Sequence, residues 1–201
     1  MSFVINDAYL PATLTAQPMT DDEFAAFCAE HPDLSFEMTA DGEIIVMAPT
    51  SFLTGASNFE VGALLRDWAR RDGRGIGSDS STGFVLPNGA RRSPDASWTL
   101  KSRVNSLEPR KRRGFLHLCP DFVIEIRSDS DRLRPLRNKM REYMENGAQL
   151  GWLIDPQNRS VEVYRPDGEV ETLTGIGKID GEGPLAGFVL ELTYVWDPLA
   201  D

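Results

Sequence analysis

Residues 121–127 read Asp-Phe-Val-Ile-Glu-Ile-Arg. Phe122, Val123, Ile124 and Ile126 form a nearly continuous apolar run, the pattern of a central strand covered on both faces. Glu125 interrupts that run. A carboxylate among residues that favour burial is costly unless it is paired or holds a cation. The stretch therefore predicts a central strand with a candidate site on it. A helix is predicted next, over about 134–146. Pro135 suits its first turn, Gly147 suits its C-terminal cap, and Leu136, Met140 and Tyr143 make an apolar stripe. Leu150–Asp155 (LGWLID) is a second apolar strand, stopped by Pro156.

Upstream, a strand is predicted from about Pro94 to Leu100, with Asp95 near its start. Gly75, Gly77 and Gly83 punctuate one strand or a pair of strands reaching Leu86, and Pro87-Asn88-Gly89 makes a turn. A helix over 57–71 carries Phe59, Ala63, Leu64 and Trp68 at helical spacing and stops at Gly73. Residues 34–47 form two extended segments around Asp41-Gly42, a strong hairpin signal. Before them, 20–28 predicts a short helix whose Thr20 and Glu23 fit a capping box. Beyond Pro156 lie a strand over 161–164, a turn at Pro166-Asp167-Gly168 and a short strand within 187–192. The central order is helix, three strands, helix, strand, with a hairpin before it and β additions after it. Mixed α/β is the fold class, and the expectation is one domain over 1–201 with its core at about 34–198.

At 201 residues, 41% hydrophobic and 26% charged, the chain has the composition of a globular protein with a real core. No run of about 18 apolar residues predicts a membrane span, and the N-terminus does not read as a secretory signal, so the expected location is cytoplasmic. Beside His31 and His117, Cys28 and Cys119 are too far apart for a usual zinc site and are expected as reduced, partly buried thiols. The net charge of -10 argues against a nucleic-acid partner in the mean, yet between Arg91 and Arg113 eight basic residues face only Asp95 and Glu108. Arg110, Lys111, Arg112 and Arg113 could grip phosphate locally, because salt screens the distant acids. A solvated loop explains the same residues.

Asp95 and Glu125, on neighbouring strands, could share one divalent cation, and their hard oxygens suit Mg²⁺ or Mn²⁺. Either could instead be a salt-bridged structural acid. A phosphate-processing site also needs a cation to orient water or offset developing charge. Arg127 lies two residues after Glu125 and would share its face of the strand. Lys139 lies beside Met140 and one turn before Tyr143, near the packing face of its helix, where a lysine needs a partner. Both remain candidates.

Ser93-Pro94-Asp95, a gap, and Glu125-Ile126-Arg127 resemble the PD-(D/E)XK nuclease signature. More narrowly the chain resembles the Uma family of restriction-endonuclease-like proteins. The matching stretches are FEMTADGEIIVMAPTS at 36–51, SPDASW at 93–98, PDFVIEIRSDSD at 120–131, KMREYMENGAQLGWLIDP at 139–156 and VEVYRPDG at 161–168. The resemblance implies a restriction-endonuclease-like αβββαβ core and a Mg²⁺ site held by Asp95 and Glu125. It also implies a helical lysine, Lys139, and a further acid, Glu37. DNA would be the substrate and a homodimer the assembly. Where many relatives carry a histidine after the hairpin, this chain has Gly55-Ala56-Ser57-Asn58. Ser128-Asp129-Ser130 replaces a frequent Ser-Pro-Ser, and Arg127 stands at the superfamily's usual lysine position. The resulting expectation is a Mg²⁺-dependent endonuclease; a catalytically inactive nucleic-acid- or protein-binding module on the same fold is the alternative. A glycosidase using the acid pair has little support, since the aromatic content is 9% and no sugar platform stands out.

Overall fold

A computed structural model describes residues 12–15, 19–47 and 49–200. In chain order the elements are β1 (Ala12–Thr15), α1 (Asp21–Glu30), β2 (Ser35–Met38), β3 (Glu43–Met47), α2 (Phe52–Asp72), β4 (Gly75–Asp79), β5 (Phe84–Val85) and β6 (Arg91–Arg92). There follow β7 (Ala96–Leu100), α3 (Lys101–Ser106), β8 (Phe122–Ile126), α4 (Leu133–Glu145), β9 (Leu150–Asp155), β10 (Ser160–Tyr164), β11 (Val170–Thr174), β12 (Lys178–Asp180), β13 (Val189–Glu191) and α5 (Thr193–Trp196).

The apolar run at 122–126 becomes β8, buried at all five positions. It is central, antiparallel to β7 (Ala96↔Ile124) and parallel to β9 (Ile124↔Trp152). The full order of this sheet is β11-β10-β9-β8-β7-β4. Alternation along β8 divides its side chains between two layers. Phe122, Ile124 and Ile126 join Val61, Leu65 and Trp68 of α2 and the C-terminal Phe188, Leu190 and Val195 in one core cluster. Val123 joins Met140 and Tyr143 of α4 and Leu153 of β9 in another. Glu125 shares the parity of Val123, so its carboxylate lies beneath α4.

The hairpin forms as the sequence predicts: β2 and β3 pair Glu37 with Ile45, and Gly42 takes φ +86°, a left-handed value that glycine adopts without strain. This hairpin belongs to a second sheet, β1-β3-β2-β6-β5, over a small core of Phe24, Phe36, Met38, Ile44 and Val46. Helix α1 covers that core, and its Thr20–Glu23 capping box is present.

Four local expectations need correction. The predicted strand pair at 75–86 is divided, β4 going to the large sheet and β5 to the small one. Helix α2 starts five residues earlier than predicted, capped by Ser51, and its buried side is Ser57, Val61, Leu65, Trp68 and Ala69. Phe59, placed on the apolar stripe by its spacing, is exposed. The segment after Leu100 is partly helical, through α3 and a 3-10 turn at Pro109–Arg112, rather than a plain loop.

Gly75 opens β4 because nothing larger fits. A Cβ there would lie 2.1 Å from Cε2 of Trp98. Cys28 and Cys119 are free thiols. No described helix is long and apolar enough to cross a membrane.

Candidate functional site

Glu125 cannot be left alone in its layer. Leaving a charge there unpaired costs about 3–5 kcal/mol, more than the roughly 2 kcal/mol gained by burying one of its apolar neighbours. It is paired twice. The Lys139 ammonium of α4 lies 2.8 Å from Oε1, and the buried Tyr143 hydroxyl, one turn further along the same helix, donates to Oε1 at 3.1 Å. The i, i+4 spacing of Lys139 and Tyr143 places both groups over one point of β8.

The same ammonium lies 2.7 Å from Oε1 of Glu37. Glu37 comes from β2 in the other sheet, so Lys139 joins the two sheets. Glu37 also accepts from the Ser93 backbone N–H at 2.9 Å and from Nη1 of Arg92 at 3.1 Å. Arg92 continues to Glu142 of α4, where its Nε donates at 2.6 Å. Sequence reading counted Arg91 and Arg92 with an exposed basic segment. Both are instead buried in ion pairs, Arg91 with Asp21 of α1.

Asp95 sits just before β7. Its Oδ2 accepts the Ile126 N–H at 2.7 Å, and its Oδ1 accepts from Nδ2 of Asn58, on α2, at 3.1 Å. The residue keeps a partial opening to solvent, which screens some of the cost of its charge. Burial nevertheless pushes its carboxyl up to about 6, with the charges of Asp131 and Glu37 adding and Lys139 and the Ile126 hydrogen bond opposing. Burial also raises Glu125, against Lys139 and with the charges of Asp95 and Glu37. Burial would raise Glu37 as well, but Lys139 and Arg92 outweigh it and hold that carboxyl below its usual range. Burial would lower Lys139, and the carboxylates of Glu125 and Glu37 outweigh it, so the amine stays charged.

The structure thus brings Glu37, Glu125 and Lys139 into direct contact. The field of Asp95 reaches Glu125, and that of Lys139 reaches Asp95. Arg127 is not among these contacts. Its Nη1 donates to Asp155 at 3.0 Å and its Nε to the Asp131 carbonyl at 3.3 Å. Arg127 keeps the ladder bond of its N–H to the Ile154 carbonyl, and Asp155 has the parity of Leu153, so it lies on the face of Glu125 as expected, with its guanidinium taken by Asp155 and Asp131. The basic turn leaves β7 at the end opposite Asp95, about 17 Å along the strand. It returns through a bridge of Leu116 with Phe84 on β5. Arg110 pairs with Glu108, and Arg112 donates to the Leu107 and Asn105 carbonyls. Among the described residues, Arg110 to Arg113 make no ion pair with Glu37, Asp95 or Glu125.

Among the described residues no group of three or more His, Cys, Asp or Glu side chains forms a ready metal cluster. A divalent cation would have to be held by the pair Asp95 and Glu125 with other oxygens. Two features fit that. Four carboxylates, Glu37, Asp95, Glu125 and Glu142, face only two cations, Lys139 and Arg92, and Asp95 and Glu125 are raised, chiefly by burial and further by neighbouring carboxylate charge. Beside Asp95, Oδ1 of Asn58 is buried with no hydrogen-bond partner. Hard oxygens carrying surplus negative charge suit Mg²⁺ or Mn²⁺.

Sequence reading missed Asn58, Arg92, Glu142 and Tyr143. Tyr143 was read as packing, although its place one turn after Lys139 is a usable signal. So is Asn58, half-buried at helical spacing (i, i+3, i+7) from the buried Val61 and Leu65 of α2.

Comparison with known proteins follows the same lines. The Uma2 family model, described as "Putative restriction endonuclease", matches residues 21–193. A crystal structure described as a putative nuclease belonging to DUF820, from Anabaena variabilis, superposes with a TM-score of 0.73 at 22% identity. The alignment covers 91% of this chain and 100% of that one. That likeness is one of fold. No curated protein matches the chain.

Proposed function

The chain belongs to the Uma2 family, with a nuclease-like fold, and on that premise we propose that it is a Mg²⁺- or Mn²⁺-dependent endonuclease hydrolysing DNA phosphodiester bonds. The observation that carries the reading is the surplus of buried carboxylate at Asp95 and Glu125 beside a permanently charged lysine. Asp95 and Glu125 are the residues that would hold the cation. When bound, such a cation supplies Lewis acidity toward a phosphoryl oxygen and lowers the pKa of a water.

Lys139 has a constrained part. An amine raised above its ordinary range keeps its proton at neutral pH, so it does not serve as a general base. It serves as fixed positive charge, orienting the attacking water and offsetting charge that develops on the phosphoryl oxygens. Glu37, kept ionised by Lys139 and Arg92, positions that ammonium. Tyr143 donates to Oε1 of Glu125 beside the ammonium. Arg110, Lys111, Arg112 and Arg113 are the proposed grip on the DNA backbone, giving affinity without sequence readout. DNA and a second copy of the chain are the partners this reading expects.

The test is calorimetric titration of Mg²⁺ and Mn²⁺ into wild type and into the Asp95→Ala/Glu125→Ala variant, followed by plasmid cleavage with each single variant. Binding and cleavage that vanish in the variants, with unchanged circular dichroism, support the site. Undiminished cleavage by Asp95→Ala or Glu125→Ala would sink the mechanism.

One observation favours a second reading. Lys139 already neutralises Glu37 and Glu125 as a self-contained bridge, as a purely structural ion network would. A non-catalytic nucleic-acid-binding module then follows. It would bind DNA in a salt-sensitive way without divalent cation and cleave at no metal concentration.

A further inference from the structure

The anomaly of Glu125, a polar group where packing calls for an apolar one, recurs once more at the site, on α2. Asn58 is half-buried on α2, next to the buried Ser57 and one turn before the buried Val61. Asparagine is a poor helix former away from a cap, because its side chain competes for the backbone. Here it does not bond the backbone. Its Nδ2 donates 3.1 Å to Oδ1 of Asp95, and its Oδ1 is buried without a partner. Buried polar oxygens are paired in nearly all proteins, and an orphan calls for a missing partner.

The identity of that partner follows from the surroundings. Rotating the amide by half a turn would set Oδ1 against the carboxylate of Asp95, an acceptor against an acceptor, so the present orientation is fixed by Asp95. An ionised carboxylate has about four acceptor positions, of which Asn58 and the Ile126 N–H occupy two. Asp95 therefore has free lone pairs for a cation while holding Asn58, and the two amide atoms of Asn58 share one carbon. The orphan oxygen therefore stays next to Asp95. Neutral amide oxygens are ordinary ligands of hard divalent cations.

We propose that Asn58 supplies the third oxygen of the cation site, its Oδ1 binding the divalent ion that Asp95 and Glu125 hold. The inference rests on the acid-pair reading and adds a ligand from a helix, outside the strands that carry the acids. It also accounts for an amide whose Oδ1 is buried at the half-buried position of α2 beside Asp95.

The experiment is calorimetry with Mn²⁺ on intact wild type, Asn58→Ala, Asn58→Asp and the Asp95→Ala/Glu125→Ala variant, beside thermal melts in EDTA. Loss of a group that binds or orients at a metal site weakens affinity about 10–100-fold, and Asn58→Ala should fall in that range. Asn58→Asp keeps an oxygen at the position and gives up the donor, so it should bind at least as tightly as wild type. Asn58→Ala gives up the hydrogen bond to Asp95, so the EDTA melt serves to show that the variant is still folded at the titration temperature; weakened binding then cannot be blamed on unfolding. Affinity of Asn58→Ala within about twofold of a wild type that does bind overturns the inference and leaves the acid pair standing. An Asn58→Asp variant as weak as Asn58→Ala also overturns it, by showing that only the N–H toward Asp95 matters. A wild type that binds no Mn²⁺ removes the acid-pair reading and this one together.

Discussion

Replacing Lys139 by methionine tests the centre of the site most directly. Methionine keeps the length and volume of the side chain, so the change removes the charge and little packing. Lys139 serves two buried carboxylates at 2.7 and 2.8 Å. Deprived of it, Glu37 and Glu125 must either stay charged without compensation, at about 3–5 kcal/mol, or take up protons. Protonation sets the upper limit of the penalty. For a carboxyl of ordinary pKa near 4.3, at about 1.4 kcal/mol per pH unit, it costs roughly 1 kcal/mol at pH 5 and about 5 kcal/mol at pH 8. The sign follows from linkage. Loss of Lys139 raises the folded-state pKa of both acids. A carboxyl raised in the folded state contributes stability present below its unfolded pKa and lost as pH rises through its folded pKa. Glu125 is already raised in the wild type, so most of the new penalty falls on Glu37, now held low. Urea unfolding in EDTA should therefore show Lys139→Met destabilised by about 1–2 kcal/mol at pH 5 and about 3–5 kcal/mol at pH 8. The same loss at both pH values, or less than about 1 kcal/mol at pH 8, would refute the buried-bridge account.

Two further predictions concern the periphery. Changing Arg110, Lys111, Arg112 and Arg113 together to serine should flatten the dependence of log affinity for duplex DNA on log salt by about 0.9 for each phosphate the turn no longer neutralises; an unchanged slope removes this turn as the grip. Gly75→Ala puts a Cβ 2.1 Å from the Trp98 ring, and the overpacking should cost about 1–3 kcal/mol. A thermal melt equal to wild type would mean that Trp98 has room to move.

What the sequence made legible was local. The DFVIEIR stretch, the Asp41-Gly42 turn, the Thr20–Glu23 box and the Gly73 stop each act through neighbours within a few residues, and each appears in the fold. Strand β6, and the sheet that β5 joins, were not legible. Both strands are two residues long and exist because β6 is held between β5 and Met38 of β2, a contact no window of sequence contains. Arg92 was misread for the same reason: a basic residue in a basic stretch looks solvated until Glu37 and Glu142, 55 and 50 residues away, arrive beside it. Glu37 itself came from family resemblance, since a glutamate in a hairpin strand carries no signal of its own. Asn58 could have been found by the rule that found Glu125, a polar residue on an apolar stripe. The stripe was drawn through Phe59, one residue too late, and so passed over it.

The small sheet contributes Glu37 and Arg92, the large one Glu125, and Lys139 closes the gap between them. Glu37 and Lys139 are 102 positions apart (139 against 37), and a long loop must close before their contact is rewarded. In a refolding experiment the far-UV circular dichroism of each sheet should return first. Lys139 and Glu37 meet only when the two sheets dock, so the delay before that ion pair returns is a clock for the docking step.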